Sequence, residues 1–269
     1  MGWGIADFLG GLTSRSAALL SVLLISQVTA LVLLAAIVIV LAEPAPDARF
    51  ILYAAISGLS EVAGVAALYR GLAIGVMSIV APIAAIAPVV PLAFGLAFGE
   101  VPAPIQGAGL ALIIVGVVLT SRQRRSNGQA RGRLGASIVY GLLSALGFGI
   151  FFVALGAASG GDIPWALLTA RLTAVTAIGA AIVASRFRFN MPATGLPATA
   201  SIGVLIIAAD FMYATATTLG LLSVVAVLGA LHTVVTIGLA RVYLEERLER
   251  LQQLGIAACF CGVLIITGS

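Results

Sequence analysis

Glu100, Gln106, Gly109 and Gly116 recur further along the chain as Glu246, Gln252, Gly255 and Gly262. The separation is 146 residues each time (246 less 100, 252 less 106), and the alignment needs no gap. The stretches ahead of the two glutamates match in kind: ALYRGLAIGVMSIVAPIAAIAPVVPLAFGLAFGE against ATATTLGLLSVVAVLGALHTVVTIGLARVYLEE. Near the start of each half, Trp3-Gly4-Ile5 pairs with Phe148-Gly149-Ile150. A chain that repeats itself over half its length is expected to fold as two copies of one structural unit.

The copies are built for lipid. Of 269 residues, 61% are hydrophobic and only 9% charged, and mean hydropathy is +1.19. A soluble domain carries about 25% charged residues. The chain therefore reads as an all-α, multi-pass integral membrane protein, expected in a bacterial inner (plasma) membrane. A duplicated, nearly uncharged chain of this kind is the pattern of a transporter built from internal repeats. The expected partners are the bilayer and a small-molecule substrate, with the protein a monomer or weak homodimer. The net charge of +4 comes from arginine alone, since the sequence contains no lysine. Those arginines sit mostly between apolar runs, where they set orientation, so nucleic acid is not an expected partner. The opening residues carry no basic region ahead of the first apolar stretch, so a cleaved secretory signal is not expected. Cys259 and Cys261 lie two apart, a spacing that does not share a helix face, and read as packing residues.

A membrane helix needs about 20 mostly apolar residues. On that rule the punctuation predicts ten runs, near 1–13, 17–42, 50–69, 72–98, 104–121, 134–157, 163–185, 197–217, 220–242 and 251–268. The hydrophilic, Arg-rich stretch 122–133 divides them into five-helix repeats, 1–121 and 134–269. Five is odd, so the second repeat enters the membrane inverted. The first run is short beside its counterpart from Leu134. A half-span leaves backbone polar groups unsatisfied in lipid, so the sequence reads as trimmed, or its start as misassigned, at that end. Pro82, Pro88 and Pro91 are expected to kink or break the fourth helix. Gly109 with Gly116, and Gly255 with Gly262, are expected to be close-packing positions.

Loops after odd-numbered helices carry Arg15, Arg70, the linker arginines, Arg186, Arg188, Arg241, Arg247 and Arg250; even-numbered loops carry only Arg49. The positive-inside rule puts the odd loops in the cytoplasm and both termini outside.

These pieces together resemble the drug/metabolite transporter superfamily, specifically its ten-helix EamA-type members. The resemblance rests on W-G-x-x-D-F at Trp3 to Phe8, on Leu68-Tyr69-Arg70-Gly71, on Ala87-Pro88-Val89-Val90, and on E-x5-Q-x2-G-x6-G in both halves. It implies two inverted five-helix repeats around a central pathway, export of amino acids, drugs or other small metabolites, and both termini in the cytoplasm, against the arginine count. One departure is Leu231-His232-Thr233-Val234, which lacks a proline usual in the second half of the family.

Ionisable side chains inside membrane spans are costly and mark pathways by default. Asp7, with Arg15 eight residues later, resembles the first helix of the small multidrug resistance exporters, where a buried acid alternately binds a proton and a cationic substrate. Such exchange needs a carboxyl tuned by its surroundings; the alternative places Asp7 near the membrane surface. Its repeat position holds Phe152, so the role would be asymmetric. Glu61 in helix three and Asp210 in helix eight lie within a turn of equivalence, and are expected either to share a cavity or to pair with Arg171 or Arg70. Arg171 interrupts helix seven opposite Gln27 of the first half, and either binds a substrate carboxylate or neutralises an internal acid. His232, the sole histidine, reads as a satisfied buried histidine or a gate residue. Trp3, Tyr69 and Tyr213 are candidates to line the pocket, although interfacial belts explain many membrane aromatics.

No metal site or cofactor is expected, because His232 has no partners at ligand spacing. The chain lacks H-E-x-x-H and a G-x-S-x-G elbow, so it is not expected to be an enzyme. The leading expectation is a secondary transporter and exporter, with proton coupling through Asp7. An uncoupled facilitator is the alternative within the class, and an intramembrane enzyme the alternative outside it.

Overall fold

Lipid offers no hydrogen-bond partners, so an apolar chain has to satisfy its backbone inside helices. The computed structural model describes residues 1–13, 17–74, 77–120, 134–185, 187, 189–243 and 250–267, and no strand occurs among them. Arg15, Glu246 and the 122–133 linker lie outside the described residues. The helices are α1 (Gly2–Thr13), α2 (Leu19–Leu41), α3 (Ala48–Ile74), α4 (Met77–Ala84), α5 (Val89–Ala97), α6 (Pro104–Thr120), α7 (Leu134–Ser159), α8 (Ile163–Ser185), α9 (Leu196–Leu219), α10 (Leu222–Gly229), α11 (His232–Tyr243) and α12 (Arg250–Thr267). Five of them, α2, α3, α7, α8 and α9, are long and apolar enough to cross a membrane unaided. The α4–α5 and α10–α11 pairs are each one interrupted span, which accounts for the ten runs read in the sequence.

The two interruptions have different chemical causes. Between α4 and α5 the chain turns over 85–88, and Pro88, which has no N–H to give, starts α5 at φ −63°. Between α10 and α11 no proline intervenes. There the His232 ring donates from Nδ1 to the Gly229 carbonyl at 3.0 Å, satisfying an acceptor at the break. The lone histidine thus serves the backbone at the break.

The chain divides into two compact units, and each draws on both sequence halves. Unit 1 comprises residues 1–62 and 154–218. In it α2 packs along α8, and the approach is set by glycine. A Cβ at Gly58 of α3 would overlap the Ala170 carbonyl of α8, and one at Gly203 of α9 would overlap the Ser26 carbonyl of α2. Small side chains complete the packing: Ala54 with Ala158 and Ala166, and Ala6 with Ala17, Val22 and Ile202. Helices in lipid associate through such close backbone contact, because no hydrophobic drive separates them from the tails.

Unit 2 comprises residues 63–153 and 219–269. Its spine is α6 against α12, with the repeated glycines facing one another. A Cβ on Gly109 would come 2.9 Å from the Gly262 oxygen, and one on Gly116 would come 2.7 Å from the Gly255 oxygen. Leu110, Ile113, Val117, Val227, Cys259 and Ile266 form the apolar core beside them. Glu100 follows α5, and its carboxylate accepts the Leu222 N–H at 2.8 Å and the Ser223 N–H at 3.0 Å. These are orphan donors of the first turn of α10, where the helix dipole favours an anion. The repeated glutamate motif therefore has a structural role in this half.

Candidate functional site

Arg171 lies in the middle of α8 with 1% of its side chain exposed. A guanidinium so buried is tolerated only when paired and hydrogen-bonded. Its Nη1 donates to Gln27 Oε1 at 2.6 Å and to Glu61 Oε1 at 2.9 Å, and its Nη2 donates to Asp210 Oδ2 at 2.5 Å. The Gln27 amide also donates from Nε2 to Glu61 Oε1 at 3.3 Å. The Trp3 indole N–H donates to Asp210 Oδ1 at 2.8 Å, and the Trp3 and Tyr213 rings lie 5.5 Å apart at 45°. One connected network thus ties α1, α2, α3, α8 and α9, all within unit 1.

Backbone packing places these groups. Gly58 stands one turn before Glu61 on α3, and the carbonyl it meets belongs to Ala170, next to Arg171. Gly203 stands two turns before Asp210 on α9, and the carbonyl it meets belongs to Ser26, next to Gln27. Each acid is carried to its partner by a glycine on its own helix. Gln27 and Arg171 lie 144 residues apart, and α2 and α8, both 23 residues long, share that offset end to end. The repeat therefore places one polar side chain opposite its own counterpart.

With every group ionised, one guanidinium faces two carboxylates, leaving one negative charge. The two acids differ. Asp210 is fully buried and both its oxygens accept a strong donor. Glu61 keeps 14% side-chain exposure. Both its oxygens lie 2.9 Å from Arg171 Nη1, the assigned hydrogen bond running to Oε1, and Oε2 has no other partner among the described residues. Arg171 Nε is likewise buried without a hydrogen-bond partner among the described residues.

Of the residues singled out in the sequence, Trp3, Glu61, Arg171, Asp210 and Tyr213 come together here. Both acids pair with Arg171, while Arg70 is exposed. Asp7 is exposed on α1, one turn beyond Trp3. Tyr69, 37% exposed, and half-buried His232 belong to unit 2. Sequence reasoning passed over Gly58 and Gly203, although their spacing of 145 (203 less 58) falls within one residue of the 146-residue repeat, and it gave no role to Glu100. Among the described residues no three His, Cys, Asp or Glu side chains converge as metal ligands. Two surface grooves, of about 500 and 430 Å³, are lined by aliphatic residues such as Leu33, Ile37 and Val204 in one and Leu92, Leu110 and Ile114 in the other. Their chemistry suits lipid chains, and the polar network lies elsewhere.

The sequence matches the EamA-like transporter family twice, over residues 1–122 and 135–268. No curated protein matches the chain. One solved structure, described only as "Crystal structure of protein", superposes with a TM-score of 0.79 at 14% identity, covering 99% of this chain and 94% of its own. That likeness shows the fold alone.

Proposed function

The chain belongs to the EamA-like transporter family, and from that premise we propose that it is a secondary transporter that exports a small metabolite, such as an amino acid or a drug-like compound. It is an integral, multi-pass membrane protein. The route we propose runs past the polar network of unit 1, with Trp3 and Tyr213 as its aromatic wall. Residues 1–121 and 134–269 act in this reading as the two repeats that exchange the open end, joined by 122–133. The setting is a bacterial inner membrane, and the protein works as a monomer or weak homodimer.

The observation that carries the proposal is one buried guanidinium, Arg171, facing two carboxyl groups, Asp210 and the partly exposed Glu61. A membrane protein that needed only a structural ion pair would match the charges, because each uncompensated ion in low dielectric costs several kcal/mol. An unmatched carboxylate is retained where something positive arrives and leaves.

The test is a thermal-shift screen of the purified protein against amino acids, nucleosides and organic cations, since a ligand of the folded state raises apparent stability. At least one class should raise the melting temperature, and Trp3→Ala and Glu61→Gln should each reduce that shift. A ligand-induced shift that survives undiminished in both variants would place the binding site elsewhere.

A further inference from the structure

The start of α10 takes its cap from another span. Leu221 precedes it in extended conformation (φ −64°, ψ 129°) and supplies no side-chain acceptor, so the first N–H groups of the helix need one from elsewhere. It comes from Glu100, 122 positions earlier, which accepts the Leu222 N–H on Oε1 and the Ser223 N–H on Oε2. We infer that this carboxylate is a clasp: it joins the C-terminal end of α5 to the N-terminal end of α10, and its release lets that end of unit 2 open. The inference concerns unit 2 alone and goes beyond the route and substrate proposed above.

Two glycines deliver the carboxylate. Gly99 takes φ +93°, a conformation that strains other residues, and turns the chain so that the Glu100 N–H donates to the Gly95 carbonyl at 2.8 Å. The Glu100 side chain then lies over Gly95, where a Cβ would overlap Oε2. Both oxygens thereby reach the first turn of α10, whose dipole favours an anion.

A helix with a local cap keeps it wherever the helix goes. α10 keeps its cap only while the end of α5 is in place. Both are half-helices, of nine and eight residues, and their far ends are the breaks at 85–88 and at Ala230–Leu231. Element ends absorb the rotations of a hinge, so either half-helix can tilt without unwinding a continuous span. The rest of their contact is apolar: α5 lies along α10, and Leu92, Val224 and Leu228 rest on the core around Leu110 and Ile113. Closure also carries a cost. Ser223 is fully buried, and its Oγ has no hydrogen-bond partner among the described residues. An unsatisfied buried hydroxyl penalises the closed state, and water reaching it on opening removes the penalty. The clasp is thus opposed by the residue it holds, which keeps it reversible.

Ser223→Cys puts a thiol at that buried position. In the full-length protein in nanodiscs, with Cys261→Ala removing the exposed native thiol, its reaction with a water-soluble methanethiosulfonate reports local opening. Buried Cys259, in the core of the α6–α12 spine, reports global unfolding, and peptide mass separates the two thiols. Glu100→Gln keeps the size of the side chain but replaces one acceptor by a donor. Gly95→Ala keeps the glutamate and pushes its carboxylate aside. Each should speed modification at position 223 by about two- to thirtyfold, the range for loss of a helix cap, while Cys259 stays protected. An unchanged rate at position 223 in both variants overturns the inference. Equal acceleration at Cys259, or failure of both variants to fold, overturns it too, because the carboxylate then holds the whole unit together. The readout uses no transported metabolite, so it fails or succeeds independently of the transport reading.

Discussion

Gln27 and Arg171 occupy equivalent positions of the two repeats and hydrogen-bond each other at 2.6 Å. A residue that meets its own counterpart lies beside the pseudo-two-fold axis relating the repeats. At such a place identical side chains would either repel or duplicate. The chain has diverged there, to an amide that both donates and accepts and a guanidinium that only donates. The polar centre of unit 1 is therefore asymmetric within a symmetric frame.

Arg171→Met removes the cation and leaves Asp210 and Glu61 uncompensated. Removing one partner of a buried pair costs about 3–5 kcal/mol, so the variant should lose most of its folded population in a denaturation titration. Arg171→Met combined with Asp210→Asn should recover part of that loss. Simple additivity of the two substitutions would contradict a shared network.

Gly58→Ala and Gly203→Ala place a methyl group against a backbone carbonyl that cannot turn aside. Each should destabilise by about 1–3 kcal/mol, the range for overpacking. Gly179→Ala on α8 meets open space and should be neutral or stabilising, by up to about 1 kcal/mol, because alanine is the better helix former. Equal effects at all three positions would show that glycine does not set the helix approach.

Glu100→Ala strips two backbone N–H groups of α10 of their acceptor. Loss of a helix cap costs about 0.5–2 kcal/mol, and the opening of α10 should exchange its amide hydrogens faster. Exposed Glu43→Ala should stay within about 0.5 kcal/mol of the parent. Unchanged exchange at Leu222 and Ser223 in Glu100→Ala would remove the capping role.

The ten helical runs, the duplication and the family were legible in the sequence because each is a pattern along the chain: apolar runs, a fixed offset, repeated glycines. Arg171 and Gln27 could be matched for the same reason. What the sequence could not supply was which acid Arg171 meets, because a helix crossing brings together residues with no local relationship, as Trp3 and Asp210 show at 207 positions apart. Asp7 stood out through its motif, yet burial rather than motif separates it from Glu61. The second broken span was hidden as well, since no proline marks it and His232 serves the break through its ring.

Gradient-driven transport tests the account most directly. The metabolite that stabilises the protein most in the thermal-shift screen is radiolabelled and offered to proteoliposomes carrying an imposed pH gradient. The unmodified protein should accumulate it against its concentration gradient. Glu61→Gln should lose that accumulation, since it removes the carboxylate on which the proposed route depends. Glu61→Gln vesicles that concentrate the metabolite to the same level, with the same dependence on pH, would contradict the proposed route past the buried network of unit 1.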